Sequence, residues 1–287
     1  MTMSDVKIVS VWGVEPNVGS RTIAQNLAAA VAEHHQVLFI DLDIATNAFY
    51  HSTHWTHTTK NVQSLVQRIQ TQQDRNILQQ YTMNSESYQL EMKKNANAKT
   101  ILQALKDVPE SLDFLTLSET FRASTWPRFD RTEDLNQFTT ELMDEIRAVK
   151  GHYDLILLNV PANLQVVTSL PVITRSEGLI AVLNNKKSTL LNYKERMKAI
   201  KQSPEANHLA FYPVINMATD EFTLDDYQQW SHLSTLETTV PYFPEVAMMD
   251  FSGRFSVPEV REYLRPLMKD LGFETPQSAR KGMLGRR

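Results

Sequence analysis

The stretch Trp12-Gly-Val-Glu-Pro-Asn-Val-Gly-Ser-Arg-Thr22 joins a strand-forming run directly to a helix-forming one, and it constrains the fold more than any other part of the chain. Lys7-Ile-Val-Ser-Val-Trp12 is short, apolar and β-branched, whereas residues 21–33 are Ala-rich and set Ile23, Leu27, Ala30 and Val31 at helical spacing. Such a turn points free backbone N–H groups and the positive end of the helix dipole at one spot, which suits a phosphate. The phosphate-loop consensus G-x-x-x-x-G-K-[ST] adds a Lys for the phosphate charge and a hydroxyl for Mg²⁺. With Gly13 and Val18-Gly19 in register, Ser20 stands at the Lys position and Arg21 at the hydroxyl position. A slip of one residue would bring Arg21 and Thr22 to those places and displace Gly19 from the tight position.

Two further runs give this turn its context. Gln36-Val-Leu-Phe-Ile-Asp-Leu-Asp43 is a second strand ending in carboxylates, and Tyr153-Asp-Leu-Ile-Leu-Leu-Asn-Val-Pro161 is a third, with Asn159 at its end. In this order the sequence resembles the ParA/MinD family of deviant P-loop ATPases, of the SIMIBI class. That family's pattern is K-G-G-V-G-K-T-T, a strand ending D-x-D, then Y-D-x-I-x-x-D-x-P-P. Leu112-Asp-Phe-Leu-Thr-Leu-Ser118 and Gly178-Leu-Ile-Ala-Val-Leu183 match further family strands. Tyr212-Pro-Val-Ile-Asn216 is similar to the strand whose terminal Asn approaches the base, and residues 240–246 resemble the base-side loop. The resemblance runs from about residue 5 to 270. It implies a doubly wound α/β fold, a mostly parallel sheet flanked by helices. One domain over residues 1–272 is expected, with a divergent insertion around 50–110 and a basic tail at 273–287.

The departures from the pattern are chemical. Glu15 replaces the family's signature Lys, Ser20 its P-loop Lys, Arg21 its Mg²⁺-coordinating Thr and Asn159 its Walker B Asp. The resemblance implies that the signature Lys reaches the partner's phosphates across a nucleotide-sandwich dimer. A carboxylate there, about 4 Å from a phosphate charge, would repel it by about 4 kcal/mol at an effective dielectric near 20. Asn159 is neutral and lacks the charge to hold a metal's water shell. Phosphoryl transfer depends on positioning and electrostatic stabilisation, so little hydrolysis is expected. The implied, degenerate nucleotide cleft comprises Gly13, Glu15, Gly19, Ser20, Arg21, Thr22, Asp43, Asn159 and Asn216. No catalytic residue, metal ligand or cofactor is expected. If the cleft is competent, ATP and Mg²⁺ bind there and Asp43 is the catalytic carboxylate. Otherwise Asp41 and Asp43 are strand-end polar residues facing a hydrated cleft.

Composition bounds the remaining choices. Of the 287 residues 42% are hydrophobic, enough for a large core, and without cysteine there are no disulfides or thiolate metal sites. No apolar run of about 18 residues and no signal peptide is evident, so a cytoplasmic protein is expected. A net charge of −4 opposes a broad DNA footprint, and Lys186, Lys187, Lys194, Arg196, Lys198 and Lys201 are expected to form a solvated face. His51, His54 and His57 lack acidic or Cys companions at ligand spacing and are expected in a polar surface loop.

Residues 60–80 carry an amphipathic helical pattern, residues 81–98 are expected as loop or exposed helix, and 134–149 as a core-facing helix. Residues 224–236 are expected to be anchored by Trp230, and a last helix over 257–271 to be interrupted at Pro266. The tail ends Ser278-Ala-Arg-Lys-Gly-Met-Leu-Gly-Arg-Arg287. Its basic residues would add about 1 kcal/mol each of attraction to an anionic membrane face. A solvated tail is the alternative.

The expected function is that of a catalytically degenerate scaffold or positioning factor with protein partners, and with a homodimer through the nucleotide-sandwich face. Within the family the chain looks most like the TadZ/CpaE type, which places pilus or secretion machinery, though without a receiver domain before Lys7. The alternatives are a slow ATP-dependent switch in DNA or protein partitioning, and a membrane-associated regulator of division site or flagellar number.

Overall fold

The computed structural model describes residues 7–72, 75–93, 99–233 and 235–273. Eight strands follow in chain order: β1 (Lys7–Gly13), β2 (Val37–Asp41), β3 (Met83–Asn84), β4 (Leu112–Leu115), β5 (Leu155–Val160), β6 (Gly178–Asn184), β7 (Ala210–Ala218) and β8 (Thr238–Pro241). They form one sheet in the order β3-β4-β2-β5-β1-β6-β7-β8. Every pairing is parallel except β3 with β4. The expected doubly wound sheet is present.

Among the described residues twelve α-helices connect and cover the strands. They are α1 (Ser20–Val31), α2 (Ala48–Thr53), α3 (Val62–Gln72), α4 (Ser85–Met92), α5 (Lys99–Lys106), α6 (Thr132–Ala148), α7 (Leu170–Ile173), α8 (Lys187–Lys201), α9 (Leu224–Ser231), α10 (Pro244–Ser252), α11 (Pro258–Tyr263) and α12 (Arg265–Asp270). Because side chains alternate across a strand, each central strand feeds two cores. Ile8, Leu38, Ile156 and Leu158 pack on one face with α3, α6, α8 and α9. Val9, Val11, Phe39 and Leu157 pack on the other with α1, α11 and α12. The strands' register brings Val11 and Asp41 alongside Asn159 at the carboxyl end of the sheet.

Several sequence expectations are corrected in the divergent region. Residues 48–57 are not a polar loop: α2 turns Phe49 into the core and Trp55 follows it there. Trp55 stacks on Phe255 at 5.8 Å and lies edge-on to Phe49 and Phe114. The intervening His51 and His54 point outward, so the polar composition hid two buried anchors. His57 Nδ1 accepts the N–H groups of Thr59 and Lys60. Among the described residues there is no cluster of His, Cys, Asp or Glu able to hold a metal.

Residues 81–93 are neither loop nor exposed helix. β3 forms the sheet edge, and α4 buries Tyr88 and Met92 after Asn84 caps it by accepting from Ser87 N at 2.8 Å. Residues 94–98 lie outside the described residues. The amphipathic pattern of 60–80 breaks at Gln72. Ile77 and Leu78 instead enter the core from a tight turn whose Asn76, Ile77 and Leu78 N–H groups all donate to buried Glu145.

Toward the C-terminus, Tyr227 rather than Trp230 anchors α9. Tyr227 is fully enclosed, whereas Trp230 is only partly buried, against Phe222. The last helical stretch is divided at Leu264, and Pro266 sits in the first turn of α12, where its missing N–H costs nothing. The basic segment 278–287 lies outside the described residues, among which no helix is long and apolar enough to cross a membrane.

Removing an enclosed aromatic ring leaves a cavity and typically costs about 3–5 kcal/mol. Trp55→Ala is expected to destabilise by that amount, and Trp230→Ala by much less. Urea unfolding of the two variants against wild type checks the order.

Candidate functional site

The loop between β1 and α1 is fixed by its apolar members. Val14 and Val18 are buried, and Val14 N donates to Val182 O of β6 at 2.9 Å. Asn17 (φ 62°) and Gly19 (φ 84°) take the left-handed conformation, which Asn tolerates and Gly adopts freely. Gly19 immediately precedes the first residue of α1. Ser20 and Arg21, rather than Arg21 and Thr22, therefore occupy the first two helical positions. Thr22 is buried, and its carbonyl accepts Asn26 Nδ2.

Each polar residue of the expected cleft has a specific environment. Glu15 is half-buried and accepts from Thr189 Oγ1 at 2.8 Å and from Asn192 Nδ2 at 3.2 Å, both on α8. The Thr189 bond foremost, then that of Asn192, holds its carboxyl below the usual value. The Glu15 carboxylate is thus ionised and latched to a helix of its own chain. Asn216 donates Nδ2 to Val18 O at 2.9 Å. A Cβ at Gly19 would lie 2.1 Å from that nitrogen, so the amide packs directly on the loop.

Asp41 corrects an expectation. It does not face a hydrated cleft but is completely buried, accepting Asn159 Nδ2 at 2.8 Å and Asp43 N at 3.3 Å on Oδ1. Oδ2 has no hydrogen-bond partner among the described residues. Burial, then the neighbouring Asp43 charge, pushes this carboxyl up to about 7, against the opposing bond from Asn159. Asp43 is half-exposed. Its two oxygens accept from Ala45 N at 3.2 Å and Thr46 Oγ1 at 2.7 Å, which closes the turn after β2.

The site brings together Glu15, Gly19, Ser20, Asn216 and, beneath them, Asp41 and Asn159. It does not fit a Mg²⁺-nucleotide. The loop itself carries the Glu15 carboxylate, Ser20 and Arg21 rather than a Lys and a hydroxyl residue open α1, and Asn159 spends its donor on Asp41. Asp41, Thr189 and Asn192 were not expected in these roles. For Asp41 the sequence showed the two strand ends, and their pairing is set by the β2–β5 register. The α8 partners of Glu15 carried no signal.

Residues 6–208 match the family model AAA_31, described as an AAA domain. No curated protein matches the chain. Among solved structures it is similar to a ParA family ATPase from Chlorobium tepidum TLS (TM-score 0.67, 14% identity, covering 91% of this chain and 96% of that one). It is similar to the MinC:MinD cell division protein complex of Aquifex aeolicus (0.60, 14%, 94% and 98%). A third likeness is to the septum site-determining protein MinD of Pyrococcus horikoshii OT3 complexed with Mg-ADP (0.62, 15%, 93% and 98%).

The buried carboxyl gives a pH signature. The Asp41 carboxyl has a folded value of about 7 against an ordinary 3.8. The folded state therefore binds the extra proton, and stability falls as pH rises from about 4 to about 7. Asp41→Asn keeps the acceptor for Asn159 and is expected to remove that slope. It should gain on the order of a few kcal/mol at pH 8 and nothing near pH 4. Denaturant melts of both proteins across this range check it.

Proposed function

The chain belongs to the AAA_31 family and has the ParA/MinD fold, and on that premise we propose that it works without a nucleotide cycle, as a scaffold or positioning factor that holds protein partners. The observation that carries this reading is Glu15. At the position where the family pattern has its signature Lys, an ionised carboxylate ties the phosphate-type loop to Thr189 and Asn192. A triphosphate approaching this loop meets a negative charge already stabilised by two donors, and Ser20 supplies none of the charge of a P-loop Lys, which leaves Arg21 as the cation at the head of α1.

The MinC:MinD structure supports the protein-partner side of the proposal, since a similar fold there forms a complex with another protein. The class of partner proposed is a component of a pilus or secretion assembly, or of a related polar or division-site complex. The Mg-ADP in the Pyrococcus horikoshii structure marks the alternative that the test must separate.

Isothermal titration with ATP, with and without Mg²⁺, tests the reading on wild type and on Glu15→Lys/Ser20→Lys/Arg21→Thr, with and without Asn159→Asp. The last substitution is kept separate because it sets a second carboxylate 2.8 Å from Asp41 Oδ1, where the two would compete for one proton. No binding by wild type, with micromolar binding gained on repair, is the expected outcome. Mg²⁺-dependent binding by wild type would overturn the proposal.

A further inference from the structure

Two neighbouring helices build a groove with an apolar floor. β6, β7 and β8 are parallel neighbours, α8 connects the first two and α9 the last two, and the helices touch each other over the core they share. Each helix starts at the carboxyl end of the sheet and runs back to the amino end, so α8 and α9 lie side by side with the same polarity. Between their later halves, at the end remote from the phosphate-type loop, is a groove of about 520 Å³. Tyr193 and Met197 of α8, nearly enclosed, and half-buried Leu233 after α9 form its floor.

The rim of this groove is basic, in a chain whose net charge is −4. Lys194, Lys198 and Lys201 repeat at i, i+4 and i+7 along one side of α8, and all three are exposed. None of them forms an ion pair with a described carboxylate. Lys201 instead sets its ammonium 5.2 Å from the centre of the Phe211 ring. Cations in the last turn of a helix offset its dipole, which accounts for Lys198 and Lys201 but not for Lys194, further back along α8. The other charged or titratable groups at the groove are Glu195 on α8 and exposed His232 after α9. The acids of α9, Asp225 and Asp226, lie in its first turn, at the opposite end. Leu191, 54% exposed, continues the lysine stripe toward that end. From Leu191 to Lys201 the stripe runs about 15 Å, the length of roughly three helical turns.

Unpaired cations beside an apolar floor are complementary to apolar side chains flanked by carboxylates. We infer that the groove docks an acidic amphipathic helix of a protein partner, its apolar face on Tyr193, Met197 and Leu233 and its Asp and Glu side chains along the edge formed by Lys194, Lys198 and Lys201. Leu191 meets the partner's next apolar residue. The partner's carboxylates gather over the later turns of α8, because Asp225 and Asp226 repel them at the other end. Duplex DNA fits less well: its phosphates take up cations but offer nothing to an apolar floor, and Glu195 repels them. The inference rests on the protein-partner reading above and names the partner's chemistry; it does not depend on the state of the nucleotide cleft.

Selection from a phage-displayed library of helix-forming peptides tests it, run in parallel on wild type and on Lys194→Glu/Lys198→Glu. Wild type is expected to enrich peptides that carry Asp or Glu beside a stripe of Leu or aromatic residues. A selected peptide, titrated by fluorescence anisotropy, should bind more weakly at high salt. Its affinity should fall about tenfold or more on Lys194→Glu/Lys198→Glu, and less on the milder Lys194→Gln/Lys198→Gln. Amidating the peptide's carboxylates, or replacing its apolar stripe by Ser, should each weaken binding to wild type as well. Both lysines are exposed, so the variants are expected to melt at the wild-type temperature. No enrichment, enrichment of peptides without acids, equal binding by wild type and both variants, or duplex DNA bound as tightly as the peptide would overturn the inference. The titration is repeated with ATP and Mg²⁺: nucleotide binding by wild type overturns the proposed absence of a nucleotide cycle, whereas the peptide affinities alone decide the groove.

Discussion

β1 is hydrogen-bonded along both edges, to β5 and β6, and buried on both faces, and the remaining architecture depends on that double enclosure. A strand so placed cannot shift register without moving Ile8 and Val9 into each other's core. Its end at Gly13 is thereby fixed relative to β5 and β6, and with it the start of α1. Trp12, enclosed at that end, donates Nε1 to Ala162 O at 3.0 Å and pins the exit of β5 as well. The site inherits its geometry from this central strand rather than from its own polar contacts.

At the carboxyl edge, the polar groups satisfy one another within the chain. Glu15 reaches α8, Asn216 reaches the Val18 carbonyl, Asn159 reaches Asp41, and Asp43 closes the turn that follows it. The Asn216 and Asn159 bonds are buried, where each counts for more than it would in water and breaking it leaves a polar group unsatisfied, whereas Asp43 makes its bond at the surface. The Asp41–Asn159 pair joins β2 to β5 at their last paired residues. The second oxygen of Asp41, without a hydrogen-bond partner among the described residues, shows that this bracing is not perfectly balanced.

The central strands were legible because parallel strands buried on both faces are written as continuous apolar runs, as in residues 155–160 and 178–184. The phosphate-type turn was legible because Gly13 and Gly19 bracket it. What escaped was set by tertiary partners. Phe49 and Trp55 sit among His and Thr, so their segment has no apolar run, and Tyr88 and Met92 are buried with Ser85 in a largely polar helix whose Leu90 is exposed. Asp41 looked solvent-facing because strand-end carboxylates usually are, and only the β2–β5 register places it over Asn159. The partners of Glu15 are more than 170 positions away in the chain, beyond any local pattern.

The aromatic cluster has a consequence for how the chain acquires its structure. Trp55 stacks on Phe255, two hundred positions later, and Phe39, Phe49 and Phe114 pack on the same ring. As the polypeptide leaves the ribosome, the N-terminal half presents these rings without the one that closes over them. β1 likewise waits for β5 and β6. Formation of the core is therefore governed by distant closures, which are slow. The growing chain carries an open, sticky aromatic surface until Phe255 has been synthesised, the stage at which a folding helper has the most to shield.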